Sequence, residues 1–346
     1  MLTEKSNELI KHFLGKSDVN YLLKNKTVYQ LYKNINPIYK NTKIILSHKE
    51  SPFPTSKFIA TSLNDKLVKR TNVMCLQWTT KGKHSVKNTL NIYLDDYEDE
   101  EDEVDTKLLV DAISFITSFS DRPRKVTIHL CLLPDKKIIR KNQTKITRLN
   151  VNSGSNYFTD TESEICIFRR EEAVKVIFHE IIHGLRFSHL GSHDEITKRL
   201  CQKYNLGSTD ILIDESYTEM WAKILNCYFI SSLTNSDKKF QHFSTLLALE
   251  REFSIYQGNK VKQFARLSKQ KNLDKDTNVS AYYLVVGEIC SQLPEFLKMC
   301  QLNPYLKDNN KCLEYLYHLS KLDSRKISHK DTYYNTMRMS VAELDV

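Results

Sequence analysis

Residues 171–189, EEAVKVIFHEIIHGLRFSH, constrain the fold more than any other stretch of the chain. Val174, Ile177, Ile181 and Leu185 recur at steps of three and four, the spacing of an apolar stripe along an amphipathic helix. His179 and His183 lie off that stripe and one turn apart, so their rings project from one face with Cβ atoms about 6 Å apart. Such a helix needs a core on one side and, on another, groups that answer two imidazoles and a carboxylate. Glu171 and Glu172 precede it, where the positive end of the helix dipole favours acids.

His179-Glu180-x-x-His183 is the HExxH pattern. Two imidazoles at this spacing can meet a tetrahedral zinc at about 2.0 Å each. Glu180 then lies close enough to a water on the metal to act as general base without being a ligand. A catalytic zinc needs a third protein ligand and leaves its fourth position to water. His189 is one candidate, at the spacing of HExxHxxGxxH, but Arg186 occupies the glycine position and Gly184 falls two residues early. The other candidate is the stretch IDESYTEMWAKILNCYF, ending at Phe229, where Glu215, Glu219 and Asn226 form a polar stripe on an apolar helix. Buried carboxylates are costly without partners, and a zinc with its histidines would provide them. A helix carrying Glu about thirty residues beyond HExxH is the His2Glu plan of thermolysin-like enzymes. Glu215 is assigned as the third ligand, and Glu219, one turn on, as the acid that orients a ligand histidine through its other ring nitrogen. The reverse order fits the same spacing. Without a metal, both acids read as interhelix salt bridges to Lys or Arg. An oxyanion also needs a donor: Tyr217, Tyr282, Tyr283 and His318 are available, and Tyr283 is the choice, although AYYLVVGEI also reads as core.

The surroundings of the motif predict an α+β protein. Residues 73–78, 89–94, 126–133 and 164–168 read as short strands and 106–119 as a helix between them. From residue 171 onward helices are expected at 171–187, 193–204, 212–232, 237–256, 279–300 and 309–321. The expected organisation is an N-terminal helical segment (1–70), an α/β lobe with a small mixed sheet ending in the HExxH helix (71–190), and a helical lobe carrying the third ligand (191–346). KIILSH stands out as an apolar run in the first segment, EICIF (164–168) as the edge on which a peptide could add, and NVNSGSNYF as a turn-rich loop near the cleft.

Composition narrows the class. With 8 Gly and 7 Pro in 346 residues and 40% hydrophobic content, collagen-like and disordered classes are excluded. The run Asp95–Asp105 holds nine carboxylates and no base, so the net charge of +9 conceals +18 on the rest of the chain. The run reads as a solvated loop. The scattered basic residues read as a lysine-rich surface, with nucleic acid as a possible partner that no motif supports. Eight cysteines without a CxxC pair read as reduced core residues. No signal peptide or membrane span is expected, which implies a cytoplasmic protein.

LNVNSG (149–154), FRREEAVKVIFHEIIHGL (168–185) and ESYTEMWAKILN (215–226) together resemble a group of gluzincin-like proteins of large cytoplasmic DNA viruses, over roughly residues 125–230. The resemblance implies a zincin-like fold, a zinc-dependent peptidase with His179, His183 and Glu215 as metal ligands and Glu180 as base, and a home in host cytoplasm or virion. It brings no substrate with it. Where that group carries a variant of AFGLDFS after the second histidine, this chain has GLRFSH, so the rim of the site departs from the pattern. The mechanism expected is hydrolysis of a peptide or protein substrate by a zinc-bound water, with Glu180 passing the proton to the leaving amine. A zincin fold used only as a binding module, with zinc structural or absent, is the alternative; the presence of Glu180 argues for the enzyme.

Overall fold

The computed structural model describes all residues except 95–103, 192, 208–210, 269–271, 321 and 324. Most of the acidic run Asp95–Asp105 therefore lies outside the described residues. The strands are β1 (Lys40–Asn41), β2 (Ile45–Glu50), β3 (Asn72–Lys81), β4 (Ser85–Tyr93), β5 (Arg124–Leu130), β6 (Gly154–Phe158) and β7 (Glu162–Ile167). The helices are α1 (Glu4–Leu14), α2 (Val19–Leu23), α3 (Lys26–Asn34), α4 (Thr61–Leu67), α5 (Thr106–Thr117), α6 (Arg148–Val151), α7 (Ala173–Leu185), α8 (Asp194–Tyr204), α9 (Ile213–Ser232), α10 (Lys239–Ser268), α11 (Val286–Ser291), α12 (Leu293–Met299) and α13 (Asn309–His318), with a π-helical turn at Ser280–Val285. This is an α+β protein with one mixed sheet, as expected.

Sheet order is β1-β3-β4-β5-β7-β6, with β2 also paired to β3. β4, β5 and β7 are parallel to one another, whereas β3 on one side and β6 on the other are antiparallel. Alternation along β5 and β7 sorts the two faces. Val126, Ile128, Leu130, Ile165 and Ile167 face the main core with α5 and α7. Cys131, Cys166 and Phe168 join a second cluster with Leu63 and Leu67 of α4. All eight cysteines are buried.

Three features depart from the sequence reading. EICIF is not an edge: β7 is internal, flanked by β5 and β6. NVNSGSNYF is not a loop, because Gly154–Phe158 pairs antiparallel with β7 and forms the sheet's terminal strand. KIILSH becomes β2, exposed along its whole length, so the sheet draws strands from both sides of residue 70. The N-terminal helices pack on α10 and α12. Among the described residues, no helix is long and apolar enough to cross a membrane.

α7 packs on β6, β7, α5 and α9, and every residue of it except His183 is buried. Glu172, immediately before it, adopts a left-handed conformation (φ 62°). Its carboxylate accepts from Lys137 Nζ, Met339 N and Ser340 N, and its own N–H donates to Glu343 at 2.6 Å. Burial would raise this acid, but Lys137, Lys175 and Arg338 outweigh it and bring the carboxyl down to about 2. The C-terminal segment thus holds the start of the motif helix.

The contact between α7 and the sheet is tight at Gly184, where a Cβ would stand 2.1 Å from Ser163 Oγ on β7. Gly184→Val is expected to destabilise the protein by about 1–3 kcal/mol through overpacking. Urea unfolding of the two proteins measures it, and an unchanged midpoint would show that the helix and sheet are not in this contact.

Candidate metal centre

Two helices build the site. α7 contributes His179, Glu180 and His183, and the first turns of α9 contribute Glu215 and Glu219. Their relative placement is set by the chain between them. Arg186 leaves α7 in a left-handed conformation (φ 56°), at the position where a glycine would be the easier residue. The loop that follows is anchored by Asp214: its carboxylate accepts from Ser188 Oγ at 2.6 Å, Leu190 N at 2.8 Å and Gly191 N at 2.6 Å. Glu215, the next residue, therefore sits at a defined point beside His183.

Three donor atoms converge there. His179 Nε2 lies 3.2 Å and His183 Nε2 3.1 Å from Glu215 Oε2, and the two Nε2 atoms are 3.2 Å apart. Among the described residues this is the group of His, Cys, Asp or Glu side chains with metal-binding spacing. A tetrahedral zinc with bonds of about 2.0–2.1 Å has edges of about 3.3–3.4 Å, so these donors are spaced as one of its faces. Hydrogen bonding explains either histidine's contact with Glu215. It does not explain both together, since two N–H groups so close repel, a conflict that a shared cation removes.

Behind the seat, His179 Nδ1 meets Glu219 Oε2 at 2.9 Å. Glu219 is fully buried and also accepts from Lys175 Nζ at 2.9 and 3.0 Å, with Lys223 Nζ at 3.7 Å. Of the two orders left open by spacing, Glu215 faces the imidazole Nε2 atoms and Glu219 the back of His179. Burial would raise both acids, yet the histidines beside Glu215, and Lys175 with His179 beside Glu219, hold both well below the ordinary carboxylate range. Burial would likewise lower His179, but its bonds to Glu215 and Glu219 prevail and raise it to about 9.

Glu180 lines the cleft with these groups. Burial raises its carboxyl, and His179 and His183 offset that only in part. Gly154 at the start of β6 passes so near that a Cβ there would lie 2.8 Å from Glu180 Oε1. Asn156 Nδ2 donates to the Glu180 carbonyl at 2.6 Å, fastening β6 to α7. The Phe158 ring stacks on His183 with centroids 6.4 Å apart.

The other candidates lie elsewhere. Tyr283 is a correction: its hydroxyl is buried and donates to Met337 O at 2.6 Å, and its side chain does not line the cleft. Its neighbour Tyr282 lines the cleft and donates to Glu215 Oε2 at 3.0 Å. Tyr217 donates to Pro304 O at 3.0 Å, and His318 is exposed at the end of α13. His189 is also a correction as a ligand: it is exposed and belongs to a second depression with Leu306 and Asp308. Asn226 donates to Ala342 O at 3.2 Å.

Sequence reasoning missed Lys175, Lys223, Asp214 and Gly154. For Lys175 a signal existed: a lysine inside an apolar helix, one turn before His179 and on the same face. No family model, curated protein or solved structure matches the chain, so function has to be argued from this geometry.

Metal uptake should be governed by proton release from His179. Zinc affinity is expected to rise with pH until His179 has lost its proton, near pH 9, with protons released on binding below that. Glu219→Gln should weaken zinc about 10–10²-fold by removing the acid behind His179. Calorimetric titration in buffers of different ionisation enthalpy reads both. A pH-independent affinity, or an unchanged one in the variant, would contradict the arrangement.

Proposed function

We propose that the protein is a zinc-dependent metallopeptidase on a zincin-like fold. The observation that carries this reading is the convergence of His179, His183 and Glu215 at 3.1–3.2 Å, with Glu180 beside them in the same cleft. Two imidazoles and one carboxylate are the donor set of hydrolytic zinc sites. Zinc bound there supplies a Lewis acid for the substrate carbonyl and a nucleophilic water at neutral pH.

The chain's own groups do the rest. Glu180, raised by burial, is suited to take a proton from the attacking water and to give it to the departing amine. Glu219 keeps His179 in one orientation. Tyr282, whose hydroxyl already reaches the seat, takes the oxyanion role assigned by sequence to Tyr283. β6, the terminal strand that borders the cleft, takes the role assigned to EICIF: a peptide adds to it as a further strand. A lining that mixes Lys137, Lys175 and Lys275 with Asp274, Asp276 and Glu180 favours a peptide over a nucleic-acid polyanion.

In the zinc-loaded protein, Glu180→Gln should retain the metal and lower peptide hydrolysis by about 10²–10⁴-fold. Tyr282→Phe should lower kcat by about 10²-fold with little change in KM. Cleavage of a peptide library followed by mass spectrometry reads both. A zinc-loaded wild type without activity, indifferent to Glu180→Gln, would leave the binding-module reading instead.

A further inference from the structure

We infer that the cleft is blind at one end and receives the free carboxy-terminus of a peptide there, so that the enzyme trims chains from their C-terminal end. The inference rests on the peptidase reading and adds to it the substrate class.

The cleft, about 340 Å³ in volume, runs between two walls: Asn152 to Asn156 with Phe158 on one side, and residues 274–278 with Tyr282 on the other. At the end next to Gly154 the walls are tied together. Thr277 Oγ1 donates to Asn152 Oδ1 at 2.5 Å, Asn152 Nδ2 donates to Phe58 O at 3.2 Å, and Arg148 pairs with Asp276 at 3.9 Å. At the other end of β6 the cleft opens at Phe158, which lines it and is 37% exposed.

The chemistry of the closed end suits an anion. Lys137 and Lys175 line the cleft together with Val151, Ser153 and Met339, and of the two lysines Lys137 is already paired with Glu172. Two donors of the Lys175 ammonium are taken by Glu219, and the third meets, among the described residues, Met339 Sδ at 3.7 Å. A thioether is a weak acceptor, so a carboxylate arriving there gains a strong hydrogen bond without displacing one. The buried hydroxyl oxygen of Ser153 has no hydrogen-bond partner among the described residues. Of the acids nearby, Asp274 accepts from Ser280 N at 2.7 Å through Oδ1, and Asp276 lies 3.9 Å from Arg148.

Strand direction then says which end of a peptide arrives. β6 runs from Gly154 at the closed end to Phe158 at the open end. A peptide added antiparallel, the slightly stronger pairing, has its C-terminus at the closed end. Glu180 lies beside Gly154. From there to Asn152 is two residues, and at about 3.3 Å per residue this leaves room for one or two residues of substrate beyond the scissile bond.

The test uses the zinc-loaded full-length protein and three peptides: one with a free C-terminus, the same sequence as C-terminal amide, and an amide carrying an internal Glu. Mass spectrometry should show loss of one or two C-terminal residues from the first, and kcat/KM for both amides lower by about 10–10²-fold. Thr277→Val, which cuts the tie between the walls, should narrow that gap by letting amides and longer ends pass. Mid-chain cleavage at equal rates for acid and amide would overturn the inference and leave the peptidase reading standing. Equal cleavage of the internal-Glu amide would show that an acidic side chain, not the chain end, is what the lysines hold. No cleavage of any peptide would overturn both.

Discussion

Glu219 is the group on which the site depends. It has no exposure, and it is held by His179 Nδ1 on one side and Lys175 Nζ on the other. A carboxylate so placed costs several kcal/mol unless its partners are well aligned. Those partners extend into a frame: Lys223 contacts Glu219 at 3.7 Å and Glu250 at 3.1 Å, and Glu250 accepts from Ser340 and Val341. Lys137 and Glu172 close the frame around the start of α7. The motif helix, α9, α10 and the C-terminal segment are therefore coupled through buried charges. Shifting any one of them would leave an ion unpaired, which is why the ring of His179 has a single orientation open to it.

That coupling explains why a chain would keep so much charge inside its core. Replacing buried ion pairs with apolar residues is often neutral or stabilising, so their use here is not an argument from stability. Their effect is positional. An imidazole whose far nitrogen is fixed by an acid presents its near nitrogen in one direction, and two such donors with a third from another helix make a seat with little freedom. A module that only bound a partner would have no need of an acid at Glu180, aimed into the same cleft and raised by burial.

Much of this was legible in the sequence, and what was not has definite causes. The apolar spacing located α5, α7, α8 and α9 to within a few residues, and the acids of α9 fell on the face that meets α7. β6 was invisible because Gly154, Ser155 and Asn156 are turn formers, and their strand geometry comes from pairing with β7. α10 runs on to Ser268, beyond its expected end, because Gln257, Lys260 and Lys262 are buried against carbonyls of Arg338, Thr336 and Leu322. No periodicity signals that. The step from Tyr283 to Tyr282 arises in the π-helical turn Ser280–Val285, where facing cannot be read from 3.6-residue spacing. A single expected helix at 279–300 is likewise broken, since Pro294 permits only the first turn of a new one.

The central claim is that one metal ion is held by two imidazoles from α7 and one carboxylate from α9. Anomalous diffraction at the zinc edge from zinc-soaked crystals tests it most directly. The account predicts one peak about 2.0–2.2 Å from Nε2 of His179, Nε2 of His183 and a carboxylate oxygen of Glu215. A peak coordinated by other residues, or no peak at these three side chains in zinc-saturated crystals, would contradict it.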